Sequence, residues 1–104
     1  MDEWTLAQSD DGEELAQLHF FSVKKKEPRG DVVFKITVKE FATMGPDRSM
    51  RFFASTDKQT NQNTARFTPC GWGDSLLTAL SECLRSIRRF PFEGPDSEIE
   101  RRRD

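Results

Sequence analysis

His19, Cys70 and Cys83 carry the side chains best suited to act as base or nucleophile, in a chain with one histidine and two cysteines. Nucleophilic catalysis needs a thiolate within hydrogen-bond reach of a base. Cys70 lies a few residues before a helix start, where the helix dipole and free backbone N–H groups lower a thiol pKa. His19 could supply the base, so Cys70 with His19 is the only such constellation the sequence offers. The plainer alternative is a histidine packed in an apolar strand and a cysteine in a turn. Cys83 falls on the inward stripe of a helix and reads as core.

Metal and cofactor chemistry find no foothold. One histidine and two cysteines 13 residues apart do not form a zinc spacing. Gly71-Trp72-Gly73 is too short and wrongly spaced to cradle a pyrophosphate. These glycines are expected to shape an elbow before the helix. The functional alternative is an anion held at the helix start, which Asp74 opposes. The carboxylates gather near the chain ends rather than at a fixed acid–base spacing. The sequence therefore assigns no catalytic residue, no metal site and no cofactor, and no enzyme activity is expected.

Binding chemistry is better represented. Trp72, between two glycines, either inserts into the core or stands at the rim of a pocket. Phe53 and Phe41 are expected to point outward from the sheet and could form a self-associating patch. Lys35, Lys39 and Arg51 should project from the same open face, with Arg66 on a following strand. Aromatics interleaved with bases on a sheet can stack single-stranded bases. The same bases can equally be an ordinary solvated face. The candidate binding surface is thus Trp72, Phe53, Lys35, Lys39, Arg51 and Arg66.

Charge agrees with a basic body. The net charge is −2, but residues 1–15 hold six acids and no base, and residues 93–104 hold five acids and three arginines. Residues 16–92 keep 13 of the 16 bases and 7 of the 18 acids, a balance of +6. Such a body can attract an anionic partner.

The organising element is the segment Gly71–Phe90. Leu76, Leu80, Cys83, Ile87 and Phe90 recur at spacings of three and four, with Leu77, Ala79 and Leu84 widening the stripe. Asp74 or Ser75 supplies the cap, Arg85, Arg88 and Arg89 suit the negative end of the dipole, and Pro91 stops the helix.

Upstream, Val32 to Phe41 is the cleanest strand, with Val32, Phe34, Ile36 and Val38 on one face and Val33, Lys35, Thr37 and Lys39 on the other. Met50–Thr56 reads as a strand with Met50, Phe52 and Ala54 inward. Ala65–Thr68 reads as a short return strand. Glu3–Gln8 carries a weak strand alternation, followed by a turn at Asp10–Gly12. Leu15–Val23 reads as a strand with a helix as the alternative. Its alternation breaks at Phe20-Phe21, which suggests a bulge or a strand buried on both faces. Lys24–Lys26 and Pro28–Asp31 read as a polar turn, Gly45-Pro46-Asp47 as another, and Asp57–Thr64 as a loop or a hairpin tip.

The segment Thr68-Pro69-Cys70-Gly71-Trp72-Gly73-Asp74-Ser75-Leu76-Leu77-Thr78-Ala79-Leu80 resembles the strand-to-helix junction of HicB-type antitoxin domains. That resemblance covers 13 of the 104 residues, about an eighth of the chain. It implies a partial double-stranded-RNA-binding-like β-β-β-α fold. HicB-type proteins usually add a DNA-binding segment, for which only the tail from Glu93 is present here. Asp74, Ser75, Leu76 and Leu77 stand where a double-stranded-RNA-binding domain places a lysine cluster, so its phosphate contacts do not carry over.

The expectation is an α+β domain over residues 1–92, an antiparallel meander of four or five strands with one principal C-terminal helix on one face. Residues 93–104 are expected to form a charged, disordered tail. No signal peptide or apolar run of about 20 residues occurs, and two cysteines do not make a disulfide framework, so a cytoplasmic setting without membrane contact is expected. The function this favours is a small non-catalytic protein-interaction module, binding a protein partner or itself as a homodimer. The alternative is a nucleic-acid-binding module using the basic sheet face.

Overall fold

A computed structural model describes residues 3–10, 12–44, 49–62 and 65–92. In chain order the elements are a 3₁₀ turn (Glu3–Ala7), β1 (Ala16–Glu27), β2 (Gly30–Phe41), β3 (Phe52–Thr56), β4 (Thr60–Gln62), β5 (Ala65–Phe67), β6 (Cys70–Gly73) and α1 (Leu76–Arg89). The main sheet has the order β1-β2-β3-β6 and is antiparallel throughout, while β4 and β5 form a separate hairpin. This is the α+β architecture expected from the hydrophobic pattern.

The period-2 alternation of β2 decides the layering. Phe34, Ile36 and Val38 are at most 1% exposed and form the core with Ala54, Ala79, Cys83 and Ile87. Their odd-numbered neighbours take the opposite side, since successive side chains of a strand alternate. The helix stripe meets the even face, but Leu77 does not belong to it: it is 73% exposed. At the first turn the helix axis has already turned Leu77 away from the sheet, so Leu76 alone packs there. Met50 also differs from expectation. It lies before β3 and is exposed, whereas Phe52 and Ala54 do face the core.

Gly71 and Gly73 are strand residues, not an elbow. Neither adopts a positive φ. Their role is close approach. A Cβ on Gly71 would lie 2.5 Å from the Ala79 carbonyl oxygen and 2.8 Å from the Cys83 nitrogen, and one on Gly73 would lie 2.5 Å from the Ala79 nitrogen. Glycine on the strand and small residues on the helix let the two backbones come together. Ser75 is the cap; its Oγ accepts a hydrogen bond from Thr78 N at 3.1 Å. Phe90 ends the helix in extended geometry before Pro91.

β1 is a strand, as preferred over the helical alternative, but it is longer than expected. Its register with β2 runs without interruption from Ala16↔Phe41 to Glu27↔Gly30, so Phe20-Phe21 is not a bulge and Lys24–Lys26 are not a turn. The turn is Pro28-Arg29, closed by Gly30 at φ +131°. Tertiary contacts explain the extension. Lys25 Nζ donates to the carbonyls of Ile87 (2.8 Å) and Phe90 (2.6 Å), satisfying the open C-terminal end of α1. Glu27 accepts from Phe92 N at 2.6 Å and lies 3.5 Å from Lys25. This clasp draws the far end of the β1–β2 ribbon under the helix exit.

The N-terminal segment is a 3₁₀ turn rather than a strand, with Thr5 buried and Leu6 outward. A short segment that joins no strand closes hydrogen bonds on itself. Asp10 forms the expected turn, accepting from Gly12 N and Glu13 N. Asp57–Thr64 contributes β4, where Thr60 is fully buried and bridges Phe92. The Gly45-Pro46-Asp47 turn and the 93–104 tail lie outside the described residues.

Two substitutions test this packing. Gly71→Ala is expected to lower the unfolding free energy by about 1–3 kcal/mol through overpacking against helix backbone. Lys25→Met should cost about 1.5–3 kcal/mol by removing a charged donor from two carbonyls. Urea denaturation followed by circular dichroism measures both; an unchanged midpoint in either variant contradicts the corresponding contact.

Candidate interaction surface

The odd-numbered side chains of β2 define a sheet face opposite the helix. Pairing extends it into rows, because directly opposed residues point the same way. One row is Leu18–Lys39–Phe53–Trp72, and the next is Phe20–Thr37–Ser55–Cys70. Farther along β1 and β2 lie Ser22 with Lys35, Lys24 with Val33, and Lys26 with Asp31. Away from its Phe41 end, much of this face is open. Phe20 is 71% exposed, Leu18 47%, Trp72 45% and Val33 41%.

Three rings organise one end of the face. Trp72 stacks on Phe41 with centroids 6.3 Å apart, and sits against Phe53 at 4.5 Å. Trp72 thus does not enter the core; it lies on the open face as the outermost ring and also borders a groove beside α1. Phe41 shares that side but is buried, so it supports the cluster instead of offering a free patch. Four lysines, Lys24, Lys26, Lys35 and Lys39, share the face with one acid, Asp31. Cations and exposed apolar groups are therefore interleaved on one layer.

The structure brings together Trp72, Phe53, Lys35 and Lys39, four of the six residues selected from sequence. Arg51 leaves the group. Its Nε donates to the Phe41 carbonyl at 3.0 Å, and its Nη2 lies 3.4 Å from Glu40 Oε2. That Nη2 is buried beside the carboxylate without hydrogen-bond geometry to it. Glu40 also accepts from or pairs with His19 Nε2 at 3.0 Å, which places the His19–Glu40–Arg51 cluster on the helix side of the sheet. Arg66 also departs: it lies in the separate β4–β5 hairpin, opposite Asn61. Phe67 lies on that hairpin as well.

Leu18 and Phe20 are surface residues that sequence reasoning missed, and Lys24 and Lys26, basic candidates in the sequence, were placed in a turn instead of on this face. The signal was present as alternation along β1. It was obscured by reading Phe20-Phe21 as a break and the lysines as a turn.

The thiols are kept apart from the histidine. Cys70 is on β6 and His19 on β1, with two strands between them, roughly 14 Å at the usual interstrand spacing. They also sit on opposite faces, so no nucleophile–base pair forms. Cys83 is fully buried, and burial, with Cys70 adding a smaller push, raises its thiol to about 12. Among the described residues, no group of three or more His, Cys, Asp and Glu side chains could hold a metal ion. Nor is any described helix long and apolar enough to cross a membrane.

Comparison with protein-family models, curated proteins and solved structures finds no match to this chain.

The thiol environments predict a two-step reaction with a chromogenic disulfide reagent at pH 8: half-buried Cys70 reacts in the folded protein and Cys83 only after unfolding. Rapid reaction of both in native buffer contradicts the burial of Cys83. The raised pKa also fixes a pH trend. Below pH 9 both states hold the Cys83 proton; above it the unfolded thiol ionises while the folded one does not until about 12. Stability from this group is therefore lost as pH rises through that window, and Cys83→Ala should flatten the decline.

Proposed function

We propose that this chain is a small non-catalytic interaction module that binds a protein partner through the sheet face opposite α1. The observation that carries this reading is the open layer itself: Leu18 and Phe20 stay exposed next to one another on β1, and Val33 and Trp72 are exposed farther across the same face, among its lysines. Contiguous exposed apolar groups are uncommon on a monomer without a binding role. The lysines refine the partner. A face-to-face homodimer would bring together two faces that each hold four lysines, Lys24, Lys26, Lys35 and Lys39, and one acid, Asp31, and like charges brought together are destabilising. A partner presenting apolar groups rimmed by carboxylates fits this face better than a second copy does. The HicB-type resemblance at Thr68–Leu80 falls on β6 and the first turn of α1. It supports the reading at the level of strand-to-helix order, and we carry no antitoxin activity over from it.

A second reading is a single-stranded nucleic-acid binder. It is favoured by one specific arrangement, Trp72 and Phe53 in the same row as Lys39, since an aromatic platform beside cations suits stacked bases and their phosphates.

Phe20→Glu, which places a charge on the exposed face away from the core, separates these readings. A protein partner recovered with the wild-type chain and lost with this variant, at unchanged thermal stability, supports the first. A monomer in sedimentation with no partner recovered from native lysate argues strongly against it. For the second, a labelled oligothymidine should bind at low salt, with a log–log salt slope of about −3 if four lysines each meet a phosphate. No anisotropy change at 20 mM salt removes it.

A further inference from the structure

We propose a second binding site, distinct from the open face: the free edge of β6 accepts an extended peptide as an added strand, in the groove between that edge and α1. The argument starts from hydrogen-bond bookkeeping. Backbone groups on an antiparallel strand point to alternate sides residue by residue. Thr56 N donates to the Pro69 carbonyl at 3.2 Å, and Ala54 and Phe52 oppose Gly71 and Gly73. Residues 69, 71 and 73 therefore serve β3. Cys70 and Trp72 turn their N–H and C=O groups to the other edge, and among the described residues β6 ends the sheet there.

The two edges of the sheet differ in a telling way. Strand edges are commonly protected by lysine, proline or a bulge. β1, at one edge, carries Lys24, Lys25 and Lys26. β6, at the other, reads Cys-Gly-Trp-Gly and carries no charge, no proline and no bulge. Beside it lies a groove of about 510 Å³ lined by Met50, Cys70, Trp72, Glu82, Arg85 and Arg89 among others. Its strand side is apolar. Its helix side holds two arginines and Glu82, which already pairs with Arg85 at 3.4 Å. The uncompensated charge is positive.

An occupant follows from these features. Main-chain groups of Cys70 and Trp72 select an extended backbone, which is how strand addition derives its affinity. Four edge residues span roughly 13 Å, the length of about four extended peptide residues, so a hexapeptide covers the edge with a residue to spare at each end. An apolar side chain meets Met50 and Trp72, and a carboxylate meets Arg85 and Arg89. The ligand is thus a short β-prone acidic peptide, alternating apolar and acidic residues. The site shares Trp72 and Cys70 with the open face, but it uses their edge backbone groups and α1, and Phe20 and Lys35, which lie elsewhere on that face, take no part in it.

The test uses the full chain and two labelled, end-blocked hexapeptides, (Val-Glu)₃ and (Val-Lys)₃. The expected result is that (Val-Glu)₃ binds at least tenfold more tightly. Its binding should fall at least tenfold in Arg85→Glu/Arg89→Glu and stay unchanged in Phe20→Glu. Amide hydrogen exchange gives a second, independent readout: in the free protein the Cys70 and Trp72 amides exchange faster than that of Gly71, and saturating (Val-Glu)₃ slows both. The proposal is overturned if the two peptides bind equally or not at all, or if protection appears on β1 and β2 instead. It is also overturned if the Cys70 and Trp72 amides are already protected in a concentration-dependent dimer, which would assign the edge to a second copy. Loss of binding in Phe20→Glu alone would place the peptide on the open face and leave that reading intact.

Discussion

The contact between Gly71, Gly73 and the helix segment Ala79–Cys83 is the constraint on which the rest of the structure depends. Any side chain at either glycine would meet helix backbone at about 2.5 Å. Because neither has one, α1 lies directly over β6 and β3, and its small residues Ala79 and Cys83 are sealed. A helix held this close can serve only one side of a four-stranded sheet. The opposite side, with its rings and lysines, is left uncovered by α1 as a consequence of that choice.

The helix exit is secured by a different interaction. Lys25 and Glu27 reach from the end of β1 to the carbonyls of Ile87 and Phe90 and to the Phe92 amide. An unpaired helix terminus is costly when partly buried, and here charged side chains from a distant strand answer it. The same interaction draws the β1–β2 ribbon past the ends of β3 and β6. It thereby places Lys24 and Lys26, the neighbours of Lys25, on the open face. One lysine of the run is structural and two are displayed, which follows from the alternation of a strand.

The candidate surface was legible in proportion to how locally its residues are determined. Lys35 and Lys39 follow from the alternation of β2, and Phe53 from the strand that pairs with it. Arg51 sits just before β3 and has a long side chain. Its destination was settled by Glu40, a partner that only chain folding brings near. Arg66 was assigned to the main sheet because a short strand carries no mark of which sheet it will join. Trp72 was ambiguous for a related reason. A tryptophan flanked by glycines has no periodic context, and its orientation was decided when Gly71 and Gly73 were committed to the helix side.

Sequence alone determined the core strand Val32–Phe41, the helix from a cap at Asp74 or Ser75 to the stop at Pro91, and the one-sided α+β layering. Each of these rests on a periodicity of two or 3.6 that the chain carries within a dozen residues. Only the tertiary structure decided that Cys70–Gly73 is an edge strand, that Lys24–Lys26 continue β1, and that His19 and Cys70 lie on opposite faces. Those outcomes depend on which backbone groups find partners across the sheet, and pairing between residues tens of positions apart leaves no local pattern to read.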